Sequence, residues 1–252
     1  MKKLIIILTY NEAENIYDII KAIFAIEKDT HILVVDDNSP DGTGKIVDTL
    51  IESNTYSNKL HIIHRKSKLG FASAYIDAYK WGINKNYNLF LGIDADFSHD
   101  LKAIPYIFDE MKYHDLVIGS RYIKGGCVKD WNLRRKILSY CGNLYERIIL
   151  WLNIHDLTGG MNCFNRELLK KLDLDSVISK GYCLPAELKF KSHLLKARIK
   201  EIPITFRDRM KGKSKIDKKI FFEVLYNIIL LSLTRHKIKK HLKEKMNAKK
   251  NN

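Results

Sequence analysis

Cysteine is scarce in this sequence, and no two cysteines lie close together. The four cysteines among the 252 residues are Cys127, Cys141, Cys163 and Cys183, and they form no C-x-x-C pair. This spacing favours neither a zinc site nor a disulfide framework, so reduced cytosolic thiols are the simpler interpretation.

Long apolar runs are also missing. The N-terminal run over residues 4–8 is too short for a signal peptide and continues into polar sequence, so we interpret it as a first strand. The most apolar later segment, residues 220–233, falls short of the roughly 20 residues that a membrane-spanning helix needs. No linker rich in Pro, Gly or Ser and no internal repeat divides the chain, which predicts one domain with a C-terminal extension.

Basic residues outnumber acidic residues, and the excess of Lys and Arg is concentrated near the C-terminus. Residues 209–252 hold fourteen Lys or Arg and three acidic residues, a net +11 of the formal +15. Beside the apolar segment 220–233, such cations favour contact with anionic lipid headgroups or packing on a partner. A core helix followed by a solvated basic tail is the alternative. Nucleic-acid binding is not favoured, because aromatic residues are not interleaved with the lysines after Tyr226.

Short β-rich runs alternate with stretches of helical spacing through the first half of the chain. The apolar residues follow the i, i+3, i+4, i+7 rule over 16–24 and 71–82. The predicted strands cover residues 3–8, 31–35, 59–64, 88–93 and 115–119. This alternation predicts an α/β fold with a mostly parallel sheet flanked by helices. Later in the chain we expect helices over 133–152 and 184–196 and a strand over 199–206.

Acidic side chains follow several of these predicted strands. Asp94 and Asp96 follow the fourth strand, Asp36 and Asp37 close the second, and Glu12 follows the first. The carboxyl ends of parallel strands meet at one edge, where open α/β sheets hold their ligands. Hard oxygen ligands at that edge suit Mg²⁺ or Mn²⁺ carrying a diphosphate. The alternative is that these aspartates only end strands and cap helices.

Cationic residues approach the same edge. Arg121 directly follows the fifth strand, and a later run contains Arg209, Lys211, Lys213 and Lys215. Guanidinium and ammonium groups bind phosphate oxygens, so the two sets together suit a metal diphosphate. A surface salt bridge for Arg121 and a solvated loop for the later run are the alternatives.

Six segments together resemble the motifs of dolichol-phosphate (polyprenol-phosphate) mannose synthases within glycosyltransferase family 2. The resemblance covers residues 3–216 and rests on Thr9–Asn15, Val34–Thr43, Lys68–Gly70, Asp94–Asp100, Gly119–Tyr122 and Arg209–Lys215. It implies a GT-A (Rossmann-like) catalytic domain over 1–216, followed by an amphipathic interfacial helix and basic tail over 217–252. It also implies a nucleotide-sugar donor such as GDP-mannose, a divalent cation, Mg²⁺ or Mn²⁺, and a polyprenyl phosphate acceptor at the cytoplasmic face of a membrane.

The resemblance also implies roles for individual residues. Leu8, Tyr10, Glu12, Val35 and Asp37 match the positions that hold the nucleoside. Asp94, Ala95 and Asp96 match the metal and diphosphate motif, with Ser98 as an added ligand. Arg121, Arg209 and Lys215 match contacts to the diphosphate and the acceptor phosphate, and with Asp96 they form the implied catalytic set. Trp131, Arg135 and Ser139 fit the acceptor pattern W-x-x-x-R-x-x-x-S, and Arg134 is an adjacent candidate.

The sequence departs from the family pattern mainly on the sugar and acceptor side. Leu8 stands where proline is usual, Met161-Asn162 where Phe-Arg is common, and Pro185 where Gln precedes the motif glutamate, Glu187. A UDP-sugar donor, or a hydroxyl acceptor with Glu187 or a carboxylate of 94–100 as base, therefore stays open. A non-catalytic nucleotide-binding membrane adaptor is a further alternative. A nucleotidyltransferase is weaker, because no glycine-rich, lysine-bearing loop follows the first strand. Contact with the lipid would need the C-terminal helix or a small membrane subunit.

Overall fold

The computed structural model describes residues 1–56, 58–179, 181–208 and 218–248. The strands of this part are β1 (Lys3–Thr9), β2 (Thr30–Asp36), β3 (Leu60–His64), β4 (Leu89–Asp94), β5 (Leu116–Ser120), β6 (Cys127–Val128), β7 (Asn162–Asn165), β8 (Ile199–Pro203) and β9 (Thr205–Phe206). The helices are α1 (Ile16–Ile26), α2 (Thr43–Glu52), α3 (Phe71–Asn84), α4 (Ile104–Glu110), α5 (Leu133–Leu150), α6 (Arg166–Lys171), α7 (Leu184–Leu194), α8 (Lys218–Leu233) and α9 (Arg235–Ala248).

Seven of the described strands form one sheet in the order β3-β2-β1-β4-β7-β5-β8. Strand β7 pairs antiparallel with both β4 and β5, whereas the other pairs are parallel. Because β7 is reversed between them, β4 and β5 run in the same direction, and their carboxyl ends share an edge with those of β1 to β3. In this register Leu8 pairs with Val35 on one side and with Asp94 on the other.

The core lies on both faces of this sheet. Successive side chains of a strand point to opposite faces, so Leu4 and Ile6 of β1 pack with α3 while Ile5 and Ile7 pack with α1. Helices therefore cover both faces, and the predicted α/β sheet is confirmed. The five predicted strands of the first half match β1 to β5 to within one or two residues.

The predicted strand over residues 199–206 is divided. Residues Ile199–Pro203 pair with β5 in the main sheet, and Thr205–Phe206 pair with β6 in a separate two-stranded ribbon. Proline has no backbone N–H to continue a ladder, and β5 ends opposite Pro203. The break turns Phe206 toward the carboxyl edge of the sheet, where it contacts His99 with 5.5 Å between ring centroids.

The C-terminal segment forms two helices rather than one helix and a tail. Ile228 and Leu231 of α8 are fully buried in the core, and α9 is tied to the domain where His241 and Lys245 contact Asp173. No helix of the described residues is long and apolar enough to span a membrane. Residues 209–217, which include Arg209, Lys211, Lys213, Lys215 and the predicted domain boundary at 216, lie outside the described residues.

Candidate active site

The ends of β1 and β2 are joined by Asp36. Its carboxylate accepts hydrogen bonds from Thr9 Oγ1 at 2.8 Å, from Ser39 Oγ at 2.6 Å and from the Ser39 backbone N–H at 2.9 Å. The Ser39 hydroxyl in turn accepts from the Asn11 backbone N–H at 3.0 Å. Asp36 therefore shapes the two loops, and its carboxylate is used within them.

Asp37 is held by Arg65, a residue that immediately follows β3. Arg65 Nη1 donates to Asp37 Oδ1 at 2.5 Å, Nη2 donates to Ser73 Oγ at 2.7 Å, and Nε lies 3.2 Å from Asp77 Oδ2. Both Asp37 and Arg65 are buried. The ion pair fixes the Asp37 carboxylate at the edge of the sheet.

Tyr10 and Glu12 lie on the loop after β1. Lys68 Nζ lies 3.9 Å from the centre of the Tyr10 ring, a cation–π contact that joins the first loop to the loop after β3. The Glu12 backbone N–H donates to Thr43 Oγ1 at 2.9 Å, and its carboxylate accepts from Asn15 Nδ2 at 2.9 Å. Tyr10, Glu12 and Asp37, which the sequence predicts to hold a nucleoside, thus occupy one half of the edge.

The carboxylates of the β4 motif occupy the middle of the edge. Asp94 ends β4 and its side chain is 40% exposed, whereas Asp96 and Ser98 are buried. The Ser98 backbone N–H donates to Asp96 Oδ1 at 3.1 Å. The Asp94 backbone N–H donates to His99 Nδ1 at 3.0 Å, so the proton of a neutral His99 is on Nε2, 3.6 Å from Asp94 Oδ2. The backbone hydrogen bond thereby holds the His99 ring beside the Asp94 carboxylate.

Arg121 emerges from β5 into a buried ion pair with Asp156. Its Nε and Nη2 each donate to an Asp156 carboxylate oxygen at 2.7 Å, and its backbone N–H donates to Oδ2 at 2.9 Å. Nη2 also donates to Thr158 Oγ1 at 2.7 Å. Burial by itself would lower the pKa of Arg121, but the charge and hydrogen bonds of Asp156 raise it. Burial by itself would raise the pKa of Asp156, but the charge and hydrogen bonds of Arg121 lower it. Arg121 is therefore a buried structural cation as well as a candidate phosphate ligand.

The loop over residues 156–160 brings the Arg121 pair to the β4 motif. A β-carbon at Gly160 would lie 3.5 Å from His99 Cε1 and 3.8 Å from Asp94 Oδ1. Lys189 holds this loop from below, because its buried Nζ donates to the carbonyls of Asp156, Leu157 and Gly159 at 2.9 to 3.0 Å. Burial lowers the pKa of Lys189 to about 8.

Aromatic side chains surround the guanidinium of Arg121. Its Cζ lies 5.2 Å, 5.4 Å and 6.0 Å from the ring centres of Tyr122, Phe206 and Trp131 respectively. The other face of the site is built by α5: Arg135 Cζ lies 3.9 Å from the Trp131 ring, and Arg135 Nη1 donates to Asp208 at 2.9 Å. Ser139 accepts a hydrogen bond from Tyr122 Oη at 2.6 Å. Arg121, Arg135 and Ser139, the residues predicted to hold the acceptor, are thus joined through Trp131 and Tyr122.

The β4 motif offers hard oxygen ligands for a divalent cation. No group of three or more His, Cys, Asp or Glu side chains with metal-site geometry occurs in the described part of the chain. Magnesium in phosphate-transfer sites is often held by only one or two protein carboxylates together with substrate phosphates. Asp94 and Asp96, with Ser98 beside them, fit such a shared site.

One predicted residue, Glu187, lies away from this edge, and two others lie outside the described residues. Glu187 is fully buried, accepts hydrogen bonds from the backbone N–H groups of Ile178 and Ser179, and pairs with Lys191 at 2.8 Å. These contacts make Glu187 a structural residue and leave it without the reach of a catalytic base. Arg209 and Lys215 fall among the residues that the structure does not describe.

Sequence reasoning missed several residues that build the site. Arg65 directly follows a predicted strand, so the rule that selected Asp94 and Arg121 would also have selected it. Asp156 stands in the polar loop 156–162, but no local pattern identifies it as the partner of Arg121. Lys189 lies within a helix pattern and gave no signal, because burial of a lysine depends on distant segments.

Comparison with known proteins gives a consistent family assignment. Residues 4–173 match the family model described as "Glycosyl transferase family 2". The polyprenol monophosphomannose synthase of Mycolicibacterium smegmatis is 39% identical over 228 residues, which are 90% of this chain and 85% of that protein. The undecaprenyl-phosphate mannosyltransferase of Micrococcus luteus is 38% identical over 228 residues, 90% of this chain and 93% of that protein.

Solved structures with the same fold include two glycosyltransferase complexes. A Pyrobaculum calidifontis mannosyltransferase in complex with GDP-Man and Mn²⁺ aligns with a TM-score of 0.59 at 15% identity, covering 98% of this chain and 74% of that one. Glucosyl-3-phosphoglycerate synthase from Mycobacterium tuberculosis, in complex with Mn²⁺, UDP and phosphoglyceric acid, aligns with a TM-score of 0.63 at 15% identity, covering 93% and 78%. At this identity the two structures establish the likeness of fold.

Proposed function

The chain belongs to glycosyl transferase family 2, and from this membership we propose that it transfers mannose from GDP-mannose to a polyprenyl phosphate carrier lipid. Glycosyl transfer is the activity of the family; the donor and the acceptor are the proposal. The observation that carries it is the division of one sheet edge into an acidic part, Asp94 and Asp96, and a cationic part, Arg121 and Arg135. Phe206 lies between the two parts, because its ring contacts both His99 and the Arg121 guanidinium.

The acidic part suits the donor diphosphate. Asp94 and Asp96, with Ser98, would hold Mg²⁺ or Mn²⁺, which supplies positive charge to the diphosphate as the bond to the sugar breaks. Asp37, fixed by Arg65, and Glu12 lie beside it on the loops that would contact the nucleoside. The His99 ring lies beside the Asp94 carboxylate, with Nε2 3.6 Å from Oδ2. We place Arg209 and Lys215 on the departing diphosphate by family resemblance.

The cationic part suits an acceptor that is itself an anion. A phosphate monoester has a second pKa near 6, so its oxygen is already a nucleophile at neutral pH and needs no strong base. Arg121 Nη1 makes no hydrogen bond to another described residue, although Nε and Nη2 are both used. Nη1 and the half-exposed Arg135 are therefore the groups that would orient the phosphate. Attack from the side opposite the diphosphate inverts the anomeric centre.

A hydroxyl acceptor is the second candidate, because the sequence departs from the family pattern mainly on the sugar and acceptor side. It would require a carboxylate base, and Glu187 is committed to the Ile178 and Ser179 backbone. The two possibilities separate in one assay with radiolabelled GDP-mannose and membranes. A product that partitions into organic solvent and is released by mild acid is a lipid phosphate sugar. Label that stays in acid-stable, water-soluble material would reject the proposed acceptor.

The donor is tested by ligand-dependent melting. A ligand that binds only the native state raises the melting temperature in proportion to its affinity and concentration. We expect GDP and GDP-mannose to raise it more with Mn²⁺ than without, and more than UDP or UDP-glucose. Equal or larger shifts with the uridine ligands would assign a UDP-sugar donor instead, and the absence of metal-dependent turnover of any donor would favour the non-catalytic adaptor.

A lipid acceptor places the enzyme at a membrane surface. We propose peripheral attachment to the cytoplasmic face, through the chain itself or a small membrane subunit. The high net charge of the C-terminal segment supports attraction to anionic lipid.

A further inference from the structure

Glu201 is an ionisable residue of β8 that has no part in the reaction as proposed so far. Its carboxylate Oε2 accepts hydrogen bonds from the backbone N–H and from the ring Nδ1 of His155, both at 2.9 Å, and Oε1 accepts from the backbone N–H of Asp156 at 3.0 Å. Because Nδ1 faces a carboxylate oxygen, it carries a proton. The Glu201 side chain is only 11% exposed. These contacts tie β8, at one side of the described sheet, to the start of the loop that holds Arg121.

This loop has no strand or helix to pair with, so side chains accept its backbone hydrogen bonds. The first two N–H groups of residues 155–159 donate to Glu201. The next two donate to Asn143 Oδ1 at 2.8 and 3.1 Å, and the fifth donates to Asp156 Oδ1 at 2.8 Å. A buried N–H without an acceptor costs free energy comparable to a lost hydrogen bond. Glu201 is therefore needed for the path that the backbone takes into the loop.

Opposite charges lie at the two ends of neighbouring peptide groups in this loop. Glu201 accepts from N–H groups, whereas Lys189 Nζ donates to the carbonyls of Asp156 and Leu157. An anion at the positive end and a cation at the negative end of peptide dipoles is a favourable arrangement. Burial lowers the pKa of Lys189, and the negative charges of Asp156, Glu146 and Glu201 oppose that fall. The loop is thus held between the two charged side chains.

The start of the loop is also the point at which Arg121 is held. The Asp156 carboxylate accepts from the backbone N–H, Nε and Nη2 of Arg121 at 2.7 to 2.9 Å, so the guanidinium follows any movement of the Asp156 backbone. Glu201 fixes that backbone from the strand beside β5, where it pairs with Ile118, three residues before Arg121. A misplacement of about 1 Å in a site can lower a rate about 10²-fold. A carboxylate outside the site can therefore control how well Arg121 meets its ligand.

We propose that Glu201 is a positioning residue, which holds the Arg121 guanidinium in its phosphate-binding orientation through the backbone of His155 and Asp156. It acts at a distance, because its carboxylate oxygens are bonded to the loop. The inference rests on the proposed function in one respect, that Arg121 binds the acceptor phosphate. Since Lys189 and other side chains hold the rest of the loop, loss of the Glu201 contact should shift Asp156 and Arg121 without unfolding the domain.

Glu201→Gln keeps the shape of the side chain and removes one acceptor. An amide has a single oxygen, so its NH2 group faces one of the three N–H donors. We expect the KM for a prenyl phosphate to rise about tenfold while the KM for GDP-mannose stays within about twofold of the parental value. Steady-state kinetics with each substrate varied in turn gives both constants. The matched control is Glu110→Gln, which alters a glutamate–histidine pair with His114 at the end of α4 and should change neither constant.

A double-mutant cycle shows whether Glu201 acts through Arg121. Arg121→Lys keeps a cation beside Asp156 but removes the planar fork that binds two oxygens at once. If Glu201 positions that fork, Glu201→Gln should raise the KM for the prenyl phosphate by less than about twofold in the Arg121→Lys background. A rise of about tenfold in both backgrounds would show an effect independent of Arg121 and would overturn the inference.

Hydrogen exchange gives a readout that does not depend on the acceptor. The backbone N–H of Asp156 should exchange about tenfold faster in Glu201→Gln than in the parent, with exchange in β1 unchanged. His155→Ala removes only the ring contact, so its exchange at Asp156 and its KM values should stay close to parental. Unchanged exchange in Glu201→Gln, or an equal KM rise in His155→Ala, would contradict positioning through the backbone. If Glu201→Gln does not fold, Glu201→Asp repeats both measurements, because its carboxylate is one methylene short of the loop.

The outcomes separate this inference from the proposed reaction. A parent that uses a prenyl phosphate, with an unchanged KM in Glu201→Gln, supports the reaction and overturns the inference. A parent that uses no prenyl phosphate overturns the proposed acceptor. In that case faster exchange at Asp156 in Glu201→Gln would still support the hold of Glu201 on the Arg121 loop, and unchanged exchange would reject it.

Discussion

Arg121 and Asp156 form a buried bidentate ion pair, with Nε and Nη2 each 2.7 Å from a carboxylate oxygen, and this pair joins the carboxyl end of β5 to the loop that covers the β4 motif. The sequence predicts Arg121 as a phosphate ligand. The structure adds that the same guanidinium holds the loop over 156–160, so stability and site geometry depend on one contact.

Asp156→Asn should destabilise the fold strongly. The change leaves Arg121 and Lys189 near a neutral group in a buried site, and removing one partner of a buried ion pair costs about 3–5 kcal/mol. Urea denaturation measures the loss of unfolding free energy. The matched control is Glu244→Gln, which breaks the exposed pair with Lys240 and should cost about 1 kcal/mol or less. Equal losses for the two variants would show that the Arg121 pair has no special structural role.

Asp96→Ala should lower the rate of sugar transfer by about 10² or more, because a preorganised electrostatic contact to the diphosphate is lost. The measurement is kcat with GDP-mannose over a range of Mn²⁺ concentrations. Asp109→Ala, an exposed residue of α4, is the control and should leave kcat unchanged. A near-parental rate for Asp96→Ala at saturating Mn²⁺ would contradict the role of Asp96 in holding the metal diphosphate.

Arg135→Ala should raise the KM for polyprenyl phosphate about tenfold and leave the KM for the donor unchanged, since a charge-assisted contact to one substrate is lost. Its pair with Asp208 is partly exposed, so we expect the unfolding free energy to change by about 1 kcal/mol or less. Steady-state kinetics with each substrate varied in turn gives both constants. A rise in the donor KM alone would move Arg135 to the other half of the site.

Stability should fall as the pH is lowered from about 6.5 toward 4. Burial, with the charge of Lys2, lowers the pKa of His31 to about 4, and burial also lowers the pKa of His61 beside it. Between the folded pKa and the ordinary value near 6.5 the unfolded chain binds more protons, so the unfolding free energy rises with pH. Urea denaturation across this range measures the slope, which should be smaller in His31→Asn. An identical slope in the variant would exclude His31 as its source.

Two glycines should respond in opposite directions to alanine. A β-carbon at Gly126 would lie 2.5 Å from the Ser120 carbonyl oxygen and 2.9 Å from the Arg121 carbonyl carbon, so Gly126→Ala should destabilise the chain and displace Arg121. Gly142, within α5, has nothing within 4 Å of the same position, so Gly142→Ala should stabilise by about 0.5–1 kcal/mol. Thermal unfolding of both variants tests the pair. Destabilisation by Gly142→Ala would contradict the described packing of α5.

Local sequence patterns were enough to predict many of the strands and helices of this protein and the sheet edge that carries the site. The period of apolar residues located β1 to β5, α1 and α3, because strand and helix periodicity is a property of consecutive residues. The positions of Asp37, Asp94 and Arg121 at strand ends then placed them at one edge, since parallel strands with right-handed crossovers bring those ends together. The family motifs added the reaction, and the relatives bear that assignment out.

The partner of each side chain was decided only by the tertiary structure. Asp36 and Asp37 are adjacent and alike in sequence, yet one joins two loops and the other pairs with Arg65. The burial of Lys189 and the contact of Glu201 with the backbone of Asp156 likewise follow from which distant segments meet. Sequence determined the elements and the edge at which they end, because those depend on neighbours along the chain. The fold decided what each charge contacts, because that depends on neighbours in space.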